Sequence, residues 1–132
     1  MNALGGQVDD GMFIRQTTTG IQFLIGGNGS GAAATYVTMP HDGRWHHVVA
    51  VRDSTSLNLY YDGVLGNSTV HNNIDITSTF DLKLGADAAL RPGLFYNGII
   101  DELQIYKEAL TLSQIQHLYA QGLIRRAVAF RY

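Results

Sequence analysis

The sequence predicts an all-β chain: two antiparallel sheets stacked as a sandwich, with one short helix near the C-terminus. Three observations predict it. Several segments alternate apolar and polar residues with period two, as half-buried strands do. Fifteen glycines, seven tyrosines and five phenylalanines in 132 residues favour many short strands and tight turns. Helical periodicity with a matching start signal occurs once, at Thr111 to Gln121.

The strands follow in order. Met12 to Gln16 is a short first strand, and Gly20 to Ile25 a second, with Ile21, Phe23 and Ile25 on one face. The glycine-rich run 26–31 reads as a turn; no Lys-Ser/Thr follows it, so it lacks the signature of a phosphate-binding loop. Ala33 to Met39 is the third strand. His46 to Arg52 is the fourth, apolar on both faces and so expected in the middle of a sheet. Leu57, Leu59 and Tyr61 alternate with Asn58, Tyr60 and Asp62. Asp62-Gly63 is a hairpin-turn signal leading into Val64-Leu65-Gly66. Further strands are expected around Phe80, Leu82 and Leu84, from Gly98 to Tyr106, and from Arg125 to Tyr132. In the helix, Thr111 and Gln114 have capping-box spacing, Leu112, Ile115, Leu118 and Tyr119 share a face, and Gly122 is a stop signal.

The composition narrows function. Apolar residues make up 45% and charged residues 15%, a globular balance. The net charge of −2 gives no footprint for nucleic acid. Without cysteine there is neither a disulfide nor a thiolate metal site. No apolar run reaches the ~20 residues needed to span a bilayer, and Met1 to Gly6 does not read as a signal peptide. Asn28-Gly29-Ser30 and Asn67-Ser68-Thr69 match the N-glycosylation tripeptide, which counts only in a eukaryotic secretory setting.

Five motifs resemble a known family. Asp42-Gly43-Arg44-Trp45-His46-His47-Val48-Val49-Ala50 resembles the "DGxWHHVA" strand of laminin-G-like, concanavalin A-like jelly-roll domains. Leu59-Tyr60-Tyr61-Asp62-Gly63 is similar to their "LYVDG" hairpin, and Leu82-Lys83-Leu84-Gly85 to their "LxIG" strand. Phe95 to Tyr106 resembles "FxGxIDEvxIY", and Glu108-Ala109-Leu110-Thr111 through Tyr119 the closing "xALSxxEIxxLY". The resemblance spans residues 42–119 and implies one jelly-roll domain over 1–132, with an added strand at 125–132. It also implies that Trp45 plugs the core between the sheets. The family's opening strands have no counterpart ahead of Met12, so the domain reads as N-terminally truncated. Open sheet edges should then be covered, and self-association as a homo-oligomer is the expected remedy.

Functional expectations follow. His46 and His47 are adjacent in a strand and point to opposite faces, so they cannot chelate one metal together. Asp101 falls on the apolar side of its strand, where a carboxylate needs a partner. The readings are a hydrogen bond to backbone amides, an ion pair with an arginine such as Arg52, or a Ca²⁺ site. For calcium, Asp101 and Asp62 are the candidate ligands, with Asp75, Asp87 and Asn97 as further oxygen donors. No cofactor is otherwise required.

The jelly-roll glucanases that resemble this fold carry "ExDxxE" on one strand; Asp101-Glu102 lacks that spacing, and no nucleophile elbow or cysteine occurs. The expectation is a non-catalytic module that binds carbohydrate or a protein partner, within a larger extracellular, cell-surface or virion protein. The candidate ligand-binding residues are Asp87, Arg91, Tyr96 and Asn97 in and around the 90–97 loop, and Tyr60: rings for stacking, polar groups for hydroxyls. The Arg125, Arg126 and Arg131 group reads as a solvated edge. The rival reading is a structural or self-association domain with no small ligand, and a glycan-active enzyme comes third.

Overall fold

A computed structural model describes residues 11–27, 31–72, 74, 76, 81–86 and 95–129. It shows two antiparallel three-stranded sheets and one helix, consistent with the expected sandwich. The first sheet is a meander of β1 (Gly11–Gln16), β2 (Gly20–Gly27) and β3 (Gly31–Thr38). The second is a meander of β4 (Val48–Arg52), β5 (Ser56–Tyr61) and β6 (Val64–Val70).

The core lies between the sheets, where the alternation placed it. Phe23 and Ile25 of β2 meet Leu57 and Leu59 of β5 and the nearby Ile74, all buried, with Ile21, Val37, Val48 and Ala50 packed around them. Burying such side chains contributes about 1.5–3 kcal/mol each. The opposite face of the first sheet carries a polar row. Arg15, Gln22 and Tyr36 stand opposite one another on three neighbouring strands. Arg15 Nε donates to Gln22 Oε1 at 2.5 Å, and Gln22 Nε2 donates to the Tyr36 hydroxyl at 2.5 Å. The buried Gln22 is thereby satisfied at both ends of its amide.

One corner of the sandwich is closed by a β-bulge. Leu59 pairs with Asn67 but Tyr60 pairs with Leu65, so Gly66 is the extra residue on β6. A Cβ at Gly66 would lie 1.9 Å from Val37 Cγ2 of β3. The absent side chain lets β6 approach β3, and Asn67 Nδ2 donates to the Tyr36 carbonyl across the corner at 3.0 Å.

The helix α1 (Leu112–Ala129) is capped as its sequence predicts. The Thr111 amide donates to Gln114 Oε1 at 2.8 Å, and the Gln114 amide to Thr111 Oγ1 at 3.3 Å. Ile115 is fully buried and anchors the helix.

Several expectations need correction. The helix does not stop at Gly122 but runs to Ala129, so Arg125 to Ala129 is helical and not a strand. Short apolar runs fit either state, and an internal glycine costs a helix only about 1 kcal/mol. Residues 130–132 lie outside the described residues. Trp45 is 45% exposed, ahead of β4, and does not plug the core. β4 is an edge strand of its described sheet, with β5 in the centre.

The segments around Leu82 and Leu84 and from Gly98 to Tyr106 form no strand. Their one ladder contact is the isolated bridge between Ala86 and Phe95. Glu102, at φ +50°, breaks the extended run, and no described strand offers its edge to these segments.

Two substitutions test the packing. Gly66→Ala should destabilise by about 1–3 kcal/mol in urea unfolding, because Val37 must move out of the core side of the corner. Thr35 is fully buried, and its hydroxyl finds no partner; Thr35→Val should therefore raise stability by about 1 kcal/mol.

Candidate functional site

Two open grooves flank a hydrogen-bonded turn, and the turn positions the first of them. Asp62 and Gly63 both have positive φ, +48° and +79°, the geometry of the two-residue hairpin turn expected from their types. This fixes the Asp62 carboxylate beside the segment leading into β4. Its Oδ1 accepts the His47 amide at 2.9 Å, and its Oδ2 lies 3.0 Å from His46 Nδ1. The other imidazole nitrogen, Nε2, lies 3.0 Å from Asp42 Oδ1.

A histidine that donates from both nitrogens to carboxylates is an imidazolium. Burial opposes that charge, the side chain being only 12% exposed, but the hydrogen bonds to Asp62 and Asp42 outweigh it and raise the His46 pKa above 6.5. The same bond to His46, helped by the Arg44 amide, holds Asp42 below 3.8.

Tyr61 completes this clasp. Its hydroxyl lies 2.6 Å from His46 Nδ1, and the two rings are 4.9 Å apart. Burial, then the charge of Asp62, raises the tyrosine's pKa above 10.0, so it stays a neutral phenol. His47 points the other way, as strand alternation requires, and stacks on Tyr119 of α1 at 5.9 Å. Tyr119 also covers Gly63, where a Cβ would lie 3.1 Å from its ring.

At the far end of the β4–β5 hairpin, Asp53 is held in a separate network. The Thr55 amide, the Ser56 hydroxyl and the Ser56 amide bond its carboxylate and hold it far below 3.8.

The first groove, about 430 Å³, is lined by Tyr36, Val37 and Thr38 of β3, by Tyr61, and by Val64 and Gly66 of β6. It opens at the corner where the bulge brings the sheets together. The Tyr36 hydroxyl is held by Gln22 and that of Tyr61 by His46, so both rings are oriented from behind. The second groove, about 390 Å³, is lined by Leu84 and Gly85 and by residues of the 96–103 segment, including Tyr96 and Asp101.

The candidates named from sequence are dispersed. Tyr96 and Asp101 share the second groove. Asn97 is exposed beside it. Asp62 belongs to the clasp. Tyr60 is half-buried between Val49 and Leu65 and lines neither groove. Asp87 and Arg91 lie outside the described residues, as does Asp75.

Asp101 is exposed, and its Oδ1 accepts the amide of Glu102 at 2.8 Å, one of the backbone bonds expected for it. Arg52 donates instead to the Ile74 carbonyl. A calcium ion takes about 6–8 oxygen ligands. Asp62 spends its oxygens on His46 and His47, and among the described residues no group of three or more acidic or histidine side chains is placed to hold a metal. The described residues alone therefore do not fit a calcium site. No described helix is long and apolar enough to cross a membrane.

The sequence reading missed Tyr36 and Tyr61 as groove residues. Tyr61 carried a signal, since its neighbour Asp62 opens the turn. Tyr36 carried none, because its role depends on a bulge two strands away in space.

A two-sheet sandwich with an open aromatic groove at one corner is the architecture of lectin-like jelly rolls. The laminin-G-type model of the concanavalin A-like lectin/glucanases superfamily matches residues 4–116, and the chain belongs to that family. No curated protein matches the chain. A solved structure that it resembles is a segment of an S-layer domain-containing protein from Clostridium thermocellum. The two share 19% identity with a TM-score of 0.50, and the match covers 86% of this chain. It spans 65% of that longer chain, and the likeness is one of fold.

The clasp generates a pH prediction. His46 has a raised pKa, so its contribution is complete below about pH 6.5 and is lost as pH rises through the higher folded value. Asp42 and Asp53 have lowered values; theirs is present above about pH 3.8 and lost as pH falls through the lower folded values. Tm should fall on both sides of that window, and His46→Gln should flatten the alkaline side while leaving the acid side. Thermal melts across pH check this, and an unchanged alkaline slope in the variant would contradict it.

Proposed function

We propose that the chain is a non-catalytic binding module that takes carbohydrate in the groove at the β3–β6 corner, as part of a cell-surface or extracellular protein. The observation that carries this reading is the pair Tyr36 and Tyr61, held by their hydroxyls on opposite sides of one open groove. Sugar rings present apolar C–H faces that stack on aromatic rings, and a groove on rigid strands needs little ordering on binding. The family includes lectins, which supports the class. The S-layer name of the similar structure supports the setting.

A glycosidase needs two carboxylates flanking the bond it cuts. The groove's described lining offers none, and the nearby Asp42 and Asp62 are both committed to His46. This supports a binding role over hydrolysis.

A glycan array, followed by calorimetry on the best ligand, tests the proposal. Tyr36→Ala should weaken binding roughly tenfold while the fold persists, since the ring lies outside the core. Binding should survive a chelator; its loss would bring back Asp101 and Asp62 as calcium ligands. If Tyr96→Ala abolishes binding and Tyr36→Ala does not, the site is the 90–97 loop instead. An array with no hit sinks the carbohydrate reading.

A further inference from the structure

Away from the β3–β6 groove, the second groove lies within a continuous apolar surface. The Tyr96 amide donates to the Gly85 carbonyl at 2.8 Å, next to the bridge between Ala86 and Phe95, so the 81–86 and 95–106 segments lie side by side. Leu82, Phe95, Ile99, Leu103, Ile105 and Tyr106 are all exposed; Ile99 and Ile105, at 74% and 71%, are the most exposed of them. The same segments alternate apolar and polar residues as buried strands do, yet they form no strand among the described residues.

Magnitude decides what such a surface is for. A large side chain presents about 200 Å² when fully exposed, so these six leave on the order of 700–800 Å² open. Monomers rarely carry apolar patches beyond a few hundred Å². A standard stable interface buries about 800 Å² on each partner, which is what this patch supplies. The charges around it carry both signs: Lys83 and Lys107 against Asp81, Asp101, Glu102 and Glu108. A partner of one sign would meet repulsion from part of this rim. A copy of the same chain, related by a two-fold axis, can set lysines against carboxylates.

We propose that the face formed by residues 81–86 and 95–106 is a self-association surface, covered in solution by the same face of a second copy. This surface is separate from the Tyr36–Tyr61 groove, so a dimer leaves that groove open for ligand.

Light scattering over a concentration series tests it. The chain should pass from monomer to dimer as concentration rises. Ile99→Asp combined with Ile105→Asp should weaken the dimer roughly tenfold or more. The circular dichroism melt of the diluted monomer should stay unchanged, because both positions are solvent-facing there. Leu82→Lys gives an independent variant should the double one fail to fold, with the same expected loss. A monodisperse monomer at every concentration overturns the proposal. So does a dimer that Leu82→Lys and a folded double variant leave intact.

Discussion

The structure depends on the backbone at Asp62. With Asp62 and Gly63 both at positive φ, the chain reverses in two residues and aims one carboxylate back across the hairpin. That carboxylate holds the amide of His47 and the ring of His46, so the lead-in to β4 is fixed by its neighbour's turn and not by a ladder of its own. Because Gly63 has no side chain, Tyr119 can lie over the turn, and the helix is seated there too. A residue that cannot adopt positive φ at position 63 would disturb the turn, the histidine clasp and the helix seat together.

Much of the fold is legible in the sequence because it is local. Period-two alternation marks the strands of both sheets. It also identifies the inward residues Phe23, Ile25, Leu57 and Leu59, since parity alone decides which face is buried. The turn at Asp62-Gly63 and the Thr111–Gln114 cap are readable for the same reason: each is completed within four residues. Long-range consequences are not readable. Trp45 opens a family motif, but its burial depends on what stands opposite, and the described structure leaves it exposed. Gly98 to Tyr106 has the pattern of a strand but meets no free edge to pair with. The 122–129 run fits helix or strand by composition, and continuity with a well-capped helix decides it.

The candidate site was less legible than the fold. Alternation puts Tyr60 and Tyr61 on opposite sides of β5, and which side becomes a groove depends on where β3 approaches β6. The bulge that sets this approach appears in the sequence only as one more glycine. Asp62 draws attention as an acid near a turn, but its oxygens are already engaged, so its role is to hold structure. Family membership fixes the architecture without choosing among the ligands of a family named for both lectins and glucanases.

The bulge at Gly66 ties two properties to one atom that is missing. The close approach of β6 to Val37 closes the sandwich corner, and the same residue lines the Tyr36–Tyr61 groove. A side chain there would push the sheets apart and reshape the pocket in a single step. The rim, by contrast, varies freely: Val64 and Thr38 line the same groove and are not part of the buried core. Evolution of ligand preference in this chain is therefore confined to the rim, while the floor is inherited unchanged with the fold.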